Sequence, residues 1–355
     1  MTDPCPGLTG TPAVAKLESA SRDTVLLICP VFFSYHMSIA EELRSRGFNV
    51  LWWDDRPTTT SAYKLLLRLF PRWVAKLSDR FYVSRIRSLD QQQITTLRHV
   101  LVIKGEALSK RSVARMRQAW TRPKFTFYLW DGVENSRGAQ AIAPLFDVVA
   151  TFDPLDARRF GWEHRPLFAR PAAVSSVVGS TPSAMRYDWS FIGTLHSDRF
   201  RVVQRLMRAH STPHVFAFGY LPGKLISTLR HLIDWGMWRP GAMRLSTQSM
   251  PATEVRQVAD ASRAIVDVEH PRQRGLTMRT IETLIAGHKL ITTNTHIRDS
   301  DLYDEGRVCI IERARPRVTE EFLASSFPPI PLWQRQRYSL AGWIDELLSV
   351  EPRTR

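Results

Sequence analysis

From residue 24 almost to the end of the chain, short apolar runs closed by a glycine or a carboxylate alternate with stretches of amphipathic helical period. This alternation constrains the fold more than any other feature. A run such as "TVLLICPVFF" (24 to 33) has no polar face to turn to water. As a strand it must be covered on both sides, the condition of a parallel sheet crossed by helices. "HMSIAEELRSRGF" (36 to 48) follows as an amphipathic helix stopped by Gly47. "NVLWWDD" (49 to 55), "HVLVIKG" (99 to 105), "KFTFYLWD" (124 to 131) and "DVVATFD" (147 to 153) repeat the design. Ligands of such sheets gather where the strands end, so the residues closing these runs are the first place to seek chemistry.

The chain has 355 residues, of which 44% are apolar and 11 are Trp. That is more than one ordinary core needs and suits two domains of roughly 150 to 180 residues each. Residues 1 to 20, with Pro4, Pro6, Gly7, Gly10 and Pro12, read as a loose lead-in. The alternation pauses at "RPAAVSSVVGSTPSAMRY" (170 to 187), which is rich in small residues and proline and has no sustained period, as a linker or hinge would be. It restarts with "DWSFIGT" (188 to 194), "HVFAFG" (214 to 219), "RAIVDV" (263 to 268), "KLITTN" (289 to 294) and "RVCII" (307 to 311). We therefore expect an α/β protein of two Rossmann-like, doubly wound domains, 21 to 170 and 188 to 330, joined by a hinge at 171 to 187. The segment 331 to 355 carries a last helix whose Leu340, Trp343, Ile344, Leu347 and Leu348 form one apolar stripe.

Three widely spaced cysteines, Cys5, Cys29 and Cys309, support neither a disulfide framework nor a zinc site. No uncharged apolar run reaches membrane-spanning length, and Asp3 with three early prolines does not make a secretory leader. The expected location is the cytoplasm. A net charge of +15 calls for a polyanionic partner: nucleic acid, anionic lipid or a phosphorylated substrate.

The segment "GLTMRTIETLIAGHKLITTN" (275 to 294) combines a core helix with charge. Met278, Ile281, Leu284 and Ile285 make one stripe, while Arg279 and Glu282 lie beside it one turn apart. The preceding loop "HPRQRGLT" sets Arg272 and Arg274 next to the positive end of that helix. Two readings are open: a self-satisfied Arg279 to Glu282 surface pair, worth a few tenths of a kcal/mol, or an anion site at the helix start with a carboxylate further along.

"DASRAIVDVEHPRQRGLTMRTIETLIAGHKLITTN" (260 to 294) resembles the donor-binding signature of GT-B glycosyltransferases, nearest to those of bacterial capsule, exopolysaccharide and lipopolysaccharide synthesis and to spore-maturation-like glycosyltransferases. "DWSFIGTLHSDR" resembles the start of their second domain, and "FYLWDGVENS" and "LFDVVATFDPLDARRFG" resemble segments closing their first. The resemblance implies an N-terminal acceptor domain, a C-terminal nucleotide-sugar domain and a last helix that packs back on the first. It further implies that Glu282, five residues before Gly287, binds the donor ribose. Gln273, Arg274, Gly275, Leu276 and Thr277 would then approach the phosphates or sugar, largely through backbone, with Arg279 nearby and Gly193 and Thr194 facing the same cleft. Arg274 stands where many retaining members carry a second Glu, which leaves the stereochemical course open.

An inverting transfer needs a general base on the acceptor side. Asp131, closing its strand, is the first candidate and His36, opening the helix after the first strand, the second; each is equally a turn or cap residue. No metal or other cofactor is expected. Asp54 and Asp55 are adjacent and would leave a strand on opposite faces, unlike an Asp-x-Asp metal motif. The partners implied are a UDP- or GDP-linked sugar and a glycan or lipid-linked acceptor, with no nucleic acid. "KLLLRLFPRWVAKLSDRFYVSRIR" (64 to 87) spaces Lys64, Arg68, Arg72, Lys76 and Arg80 four apart among apolar residues, either the solvated face of core-packed helices divided at Pro71 or a peripheral contact with an anionic membrane. Two other readings compete: a nucleotide-sugar epimerase of the same fold, and a basic nucleic-acid-binding protein, which lacks any recognisable motif.

Overall fold

The computed structural model describes residues 22–32, 34–58, 71–136, 138–170, 185–210, 214–221, 243–327 and 329–350, with backbone alone for 71–76. Most of the expected linker and the first part of the basic stretch fall outside these residues.

Two six-stranded sheets are present, parallel at every strand pair. The first runs β2-β1-β3-β4-β5-β6: β1 (Thr24–Ile28), β2 (Asn49–Trp53), β3 (Leu97–Ile103), β4 (Lys124–Leu129), β5 (Val148–Thr151) and β6 (Glu163–His164). The second runs β12-β11-β10-β7-β8-β9: β7 (Tyr187–Thr194), β8 (Val215–Tyr220), β9 (Arg244–Ser246), β10 (Ser262–Asp267), β11 (Lys289–Thr292) and β12 (Val308–Ile310). Each sheet grows one way from its first strand and then resumes on the other side. The order therefore reverses between β1 and β3 in one sheet and between β7 and β10 in the other, which opens a crevice at each carboxyl edge.

Strand alternation explains how the sheets are covered. Val25 and Leu27 enter a core shared with Tyr35, Ile39 and Leu43 of the Tyr35–Ser45 helix, whereas Leu26 and Ile28 enter another with Tyr82, Val113 and Met116. Successive side chains point to opposite faces. β1 is thus buried on both, as its unbroken apolar run requires. The first of these cores continues through Leu276, Ile281, Leu284 and Ile285 into the second sheet. One apolar body joins the two halves.

The chain crosses between the halves twice. Residues 165 to 170 leave the first sheet beside the C-terminal segment, where the Ala169 N–H donates to the Tyr338 carbonyl at 2.7 Å. The Leu332–Arg337 helix is still tied to the second half through Arg337 and Asp301 (2.9 Å). The Leu340–Ser349 helix belongs to the first: Arg46 reaches the Ala341 carbonyl at 2.8 Å, and Trp343 is fully buried between Tyr128 and Phe168 at ring distances of 4.8 and 4.7 Å. The return crossing thus falls at 338 to 340, several residues after the bound at 331 expected from the sequence.

The basic stretch departs from a clean amphipathic pattern. Pro71 begins the Pro71–Arg87 helix, where its missing N–H costs nothing. Leu77 is exposed, while Ser78 and Tyr82 are buried, so the buried face is turned away from the one the sequence indicates. Among the described residues, no helix is long and apolar enough to cross a membrane.

Candidate functional site

The crevice between β7 and β10 is bridged by one guanidinium. Arg199 donates from Nε to the Val268 carbonyl at 2.6 Å and from Nη1 to the Thr194 carbonyl at 3.0 Å. It takes up the outward carbonyls of both strands where the order reverses. Burial, and then the balance of Asp267 against Arg279 nearby, bring its ordinarily very high pKa down to about 10. The Arg279 guanidinium bonds the Ile192 carbonyl two residues earlier on β7. Neither the self-satisfied Arg279 to Glu282 pair nor an outward-facing Arg279 is found, because a strand-end carbonyl lies within reach.

The loop after β10 is fixed from below. Asp267 accepts from the Thr280 hydroxyl at 2.8 Å and from the Thr277 hydroxyl, while Thr277 caps the Met278–Ile285 helix by accepting the Thr280 N–H at 3.0 Å. Such a cap is worth about 1 kcal/mol. Glu269, also buried, accepts from Thr293 at 2.7 Å and from Arg313, which holds Asp198 as well at 2.8 Å. Burial raises the Glu269 pKa against the opposing pull of Thr293 and Arg313. Asn294 then reaches back to the carbonyls of Arg274 and Gly275 at 3.3 and 3.5 Å. The loop is therefore built rather than draped, and the half-buried His196 and His270 rings stand over it 6.0 Å apart.

Gly275 packs closely against the first half. A Cβ placed there would lie 2.5 Å from Phe152 Cε2 and 2.9 Å from the Phe152 carbonyl, so only glycine admits this contact. Leu276 is buried in the shared core and presents backbone rather than side chain to the cleft. Gln273 and Arg274, with Arg272, line one depression together with Asp131, Glu134, Asp153, Asp156 and Arg159 from the first half. Four of the residues singled out from sequence, Asp131, Arg272, Gln273 and Arg274, therefore meet across the domains.

Glu282 lies elsewhere on the cleft. Its carboxylate is bonded by Arg170, Nε to Oε1 at 2.7 Å and Nη2 to Oε2 at 3.4 Å, and its charge, after burial, holds the Tyr35 hydroxyl pKa up. Gly193 and Thr194 are at the β7 edge as expected, the Thr194 carbonyl occupied by Arg199.

In the first half, Asp131 is both a turn residue and a cleft residue. Oδ1 accepts the Gly132 N–H at 2.9 Å and the Asn135 amide at 3.1 Å, and Oδ2 lies 3.9 Å from Lys104 Nζ. His36 occupies the first turn of its helix with its ring 5.0 Å from that of Trp52. Burial lowers its pKa, with Asp54 opposing, and Nδ1 is buried without a hydrogen-bond partner. Asp55, wholly buried at the end of β2, accepts the Glu106 N–H at 3.1 Å and lies 3.2 Å from Arg56; burial pushes its pKa up to about 7.

Backbone strain marks the same edges. Among the described residues, the non-glycine positions with positive φ are Ser34, Lys104 and Ser197, at 63°, 67° and 51°. They follow β1, β3 and β7, three of the four strands that border the two crevices. Such outliers persist where surrounding structure enforces them, commonly at binding sites. Sequence reading missed Tyr35, Arg170, Arg199, Glu269 and Arg313. Only position after a strand end could have pointed to Arg199 and Glu269.

No protein-family profile matches the chain, and no curated protein sequence does. Solved structures do match its shape. An α-glucosyltransferase in complex with UDP and a 13-mer DNA superposes with a TM-score of 0.52 over 82% of this chain and 87% of its own, at 10% identity. The UDP co-structure of S. aureus MnaA gives 0.52 over 92% and 88%, at 9% identity. MurG of Acinetobacter baumannii covers 92% of this chain and 100% of its own at 12% identity, with a TM-score of 0.48. Two parallel, doubly wound sheets with flanking helices, facing one another across a cleft, give this chain the GT-B fold.

Proposed function

We propose that this chain is a glycosyltransferase that moves a sugar from a nucleoside-diphosphate sugar to a bacterial surface-glycan or lipid-linked acceptor. The observation that carries the reading is Glu282: a carboxylate on the helix that follows the β10 loop, turned toward the first half and held there by Arg170. It would take the ribose, and the 272 to 277 loop with Gly193 and Thr194 would take the diphosphate. A UDP-linked donor is favoured because both structures with a TM-score of 0.52 are UDP complexes. The acceptor would enter over the β1, β3 and β4 ends.

For the proton of the acceptor hydroxyl, the geometry favours His36 over Asp131. Asp131 Oδ1 already serves two donors in its own turn. His36 has an unpartnered buried Nδ1 and a pKa below the ordinary imidazole value, so it is neutral and able to accept a proton at pH 7.

A thermal-shift screen against UDP, GDP and CMP tests the donor site, since a ligand that binds only the folded state raises Tm by mass action. We expect UDP to give the largest shift and Glu282→Ala to abolish most of it. No shift with any of the three nucleotides would remove the donor-site reading. Proton NMR of the donor sugar separates transfer from epimerisation: an epimer formed without acceptor would identify an epimerase instead.

A further inference from the structure

Glu282 reaches the cleft already engaged by groups from the other half of the molecule. Arg170 approaches with its planar fork, one good bond at 2.7 Å and a longer one at 3.4 Å, so the orientation of the carboxylate is set by the guanidinium. Arg170 is itself held. Its guanidinium lies 5.0 Å over the Tyr35 ring, and the Tyr35 ring meets the edge of Phe168 at 5.9 Å. Phe168 and Ala169 are fully buried, and Ala169 is bonded to the return crossing at Tyr338. A buried tyrosine, a clamped arginine and the carboxylate therefore form one assembly that draws on both crossings of the chain.

A carboxylate offers about four acceptor positions. Arg170 engages two, one on each oxygen, which leaves acceptor positions for a further donor. The donor also brings a diphosphate, whose negative charge a bare carboxylate nearby would repel. A guanidinium on Glu282 offsets that repulsion.

We propose that Arg170, aided by Tyr35, is the positioning residue for donor ribose: it orients the Glu282 carboxylate toward a ribose hydroxyl and compensates its charge. Ribose recognition then belongs to the two halves together, not to the nucleotide-binding half alone. This rests on the reading of Glu282 as the ribose ligand, and the test separates the two.

The experiment is calorimetric titration of the full-length protein with UDP, 2′-deoxy-UDP and 3′-deoxy-UDP. Wild type, Glu282→Gln, Arg170→Met, Arg170→Lys and Tyr35→Phe are compared, with donor KM and kcat measured alongside. Wild type is expected to bind at least one deoxy analogue about 10- to 100-fold more weakly than UDP, the range for losing a hydrogen bond to a charged group. Arg170→Met should bring that ratio to within about threefold of one while the affinity for the deoxy analogue stays close to wild type. Arg170→Lys, which keeps charge but not the fork, should fall between. KM for the donor should rise with kcat little changed, as for a lost ground-state contact. Retained deoxy-UDP binding shows that the variant is folded; should Arg170→Met not fold, Arg170→Lys carries the test, and Tyr35→Phe, which keeps the ring under the guanidinium, should discriminate as wild type does. Full ribose discrimination in the Arg170 variants would overturn the proposal while leaving Glu282 in place. No discrimination in wild type would overturn the Glu282 reading first, and the role of Arg170 with it.

Discussion

Gly275→Ala is the smallest change that interrogates the contact between the halves. The added Cβ would sit 2.5 and 2.6 Å from two carbons of the Phe152 ring and 2.9 Å from the Phe152 carbonyl. Ordinary carbon contacts lie at about 3.5 to 4.0 Å, so either the loop or the ring must retreat by roughly 1 Å. The carbonyl is backbone at the carboxyl end of β5 and has little freedom. Overpacking of this kind costs about 1 to 3 kcal/mol. Moving the two halves apart relieves the clash without unfolding either, so the cost falls mainly on the arrangement in which they meet. A penalty of that size on the competent state weakens apparent binding by about 5- to 150-fold. The assay is calorimetric titration with UDP in parallel with a thermal melt. We expect the affinity to fall within that range and Tm to drop modestly. Phe152→Ala in the Gly275→Ala background should restore part of the affinity, because the ring supplies the two shortest contacts and the carbonyl remains. Wild-type affinity and Tm in Gly275→Ala would refute the argument, as would a double variant no better than the single.

Arg313→Met would leave the buried Glu269 carboxylate with Thr293 alone, and stability by urea titration should fall by about 3 to 5 kcal/mol, the cost of breaking one side of a buried pair. Trp343→Ala empties a site between Tyr128 and Phe168 and should cost about 3 to 5 kcal/mol, read as a lower denaturation midpoint with the donor affinity largely kept in the folded fraction. For His36, the folded pKa lies below the ordinary 6.5, so the neutral base is lost only as pH falls through that lowered value. Activity should therefore be flat near pH 7 and decline on the acid side of 6.5, and His36→Asn should abolish that limb together with most of kcat. An acid limb unchanged in His36→Asn would transfer the role to Asp131.

The architecture was readable because burial on both faces leaves its mark directly in the chain: β1 and β3 to β5 are apolar runs that admit no exposed face. The Met278–Ile285 helix was readable for the same reason, its stripe of Ile281, Leu284 and Ile285 being fully buried. Glu282 could be singled out by its place beside that stripe, but its partner could not. Arg170 is 112 residues away and meets it only because the two crossings bring the tail of the first half against the Met278–Ile285 helix. Spacing on one helix suggested Arg279 instead, and the i, i+3 pair lost to a strand-end carbonyl that no local pattern reveals. Leu77 carries a similar lesson. Helical period shows that a face exists, whereas the neighbours decide which way it turns.

The Leu340–Ser349 helix also fixes an order of events at the ribosome. The second half, from β7 to the Leu332–Arg337 helix, is one continuous stretch and can complete its core as soon as it has been synthesised. The first half cannot, because Trp343, Ile344 and Leu347 supply part of the apolar layer over its sheet. Domains ordinarily complete in the order they are made. Here the half that emerges first is finished last, and until then the β1, β4 and Phe168 surface that Trp343 covers is open to solvent and to chaperones.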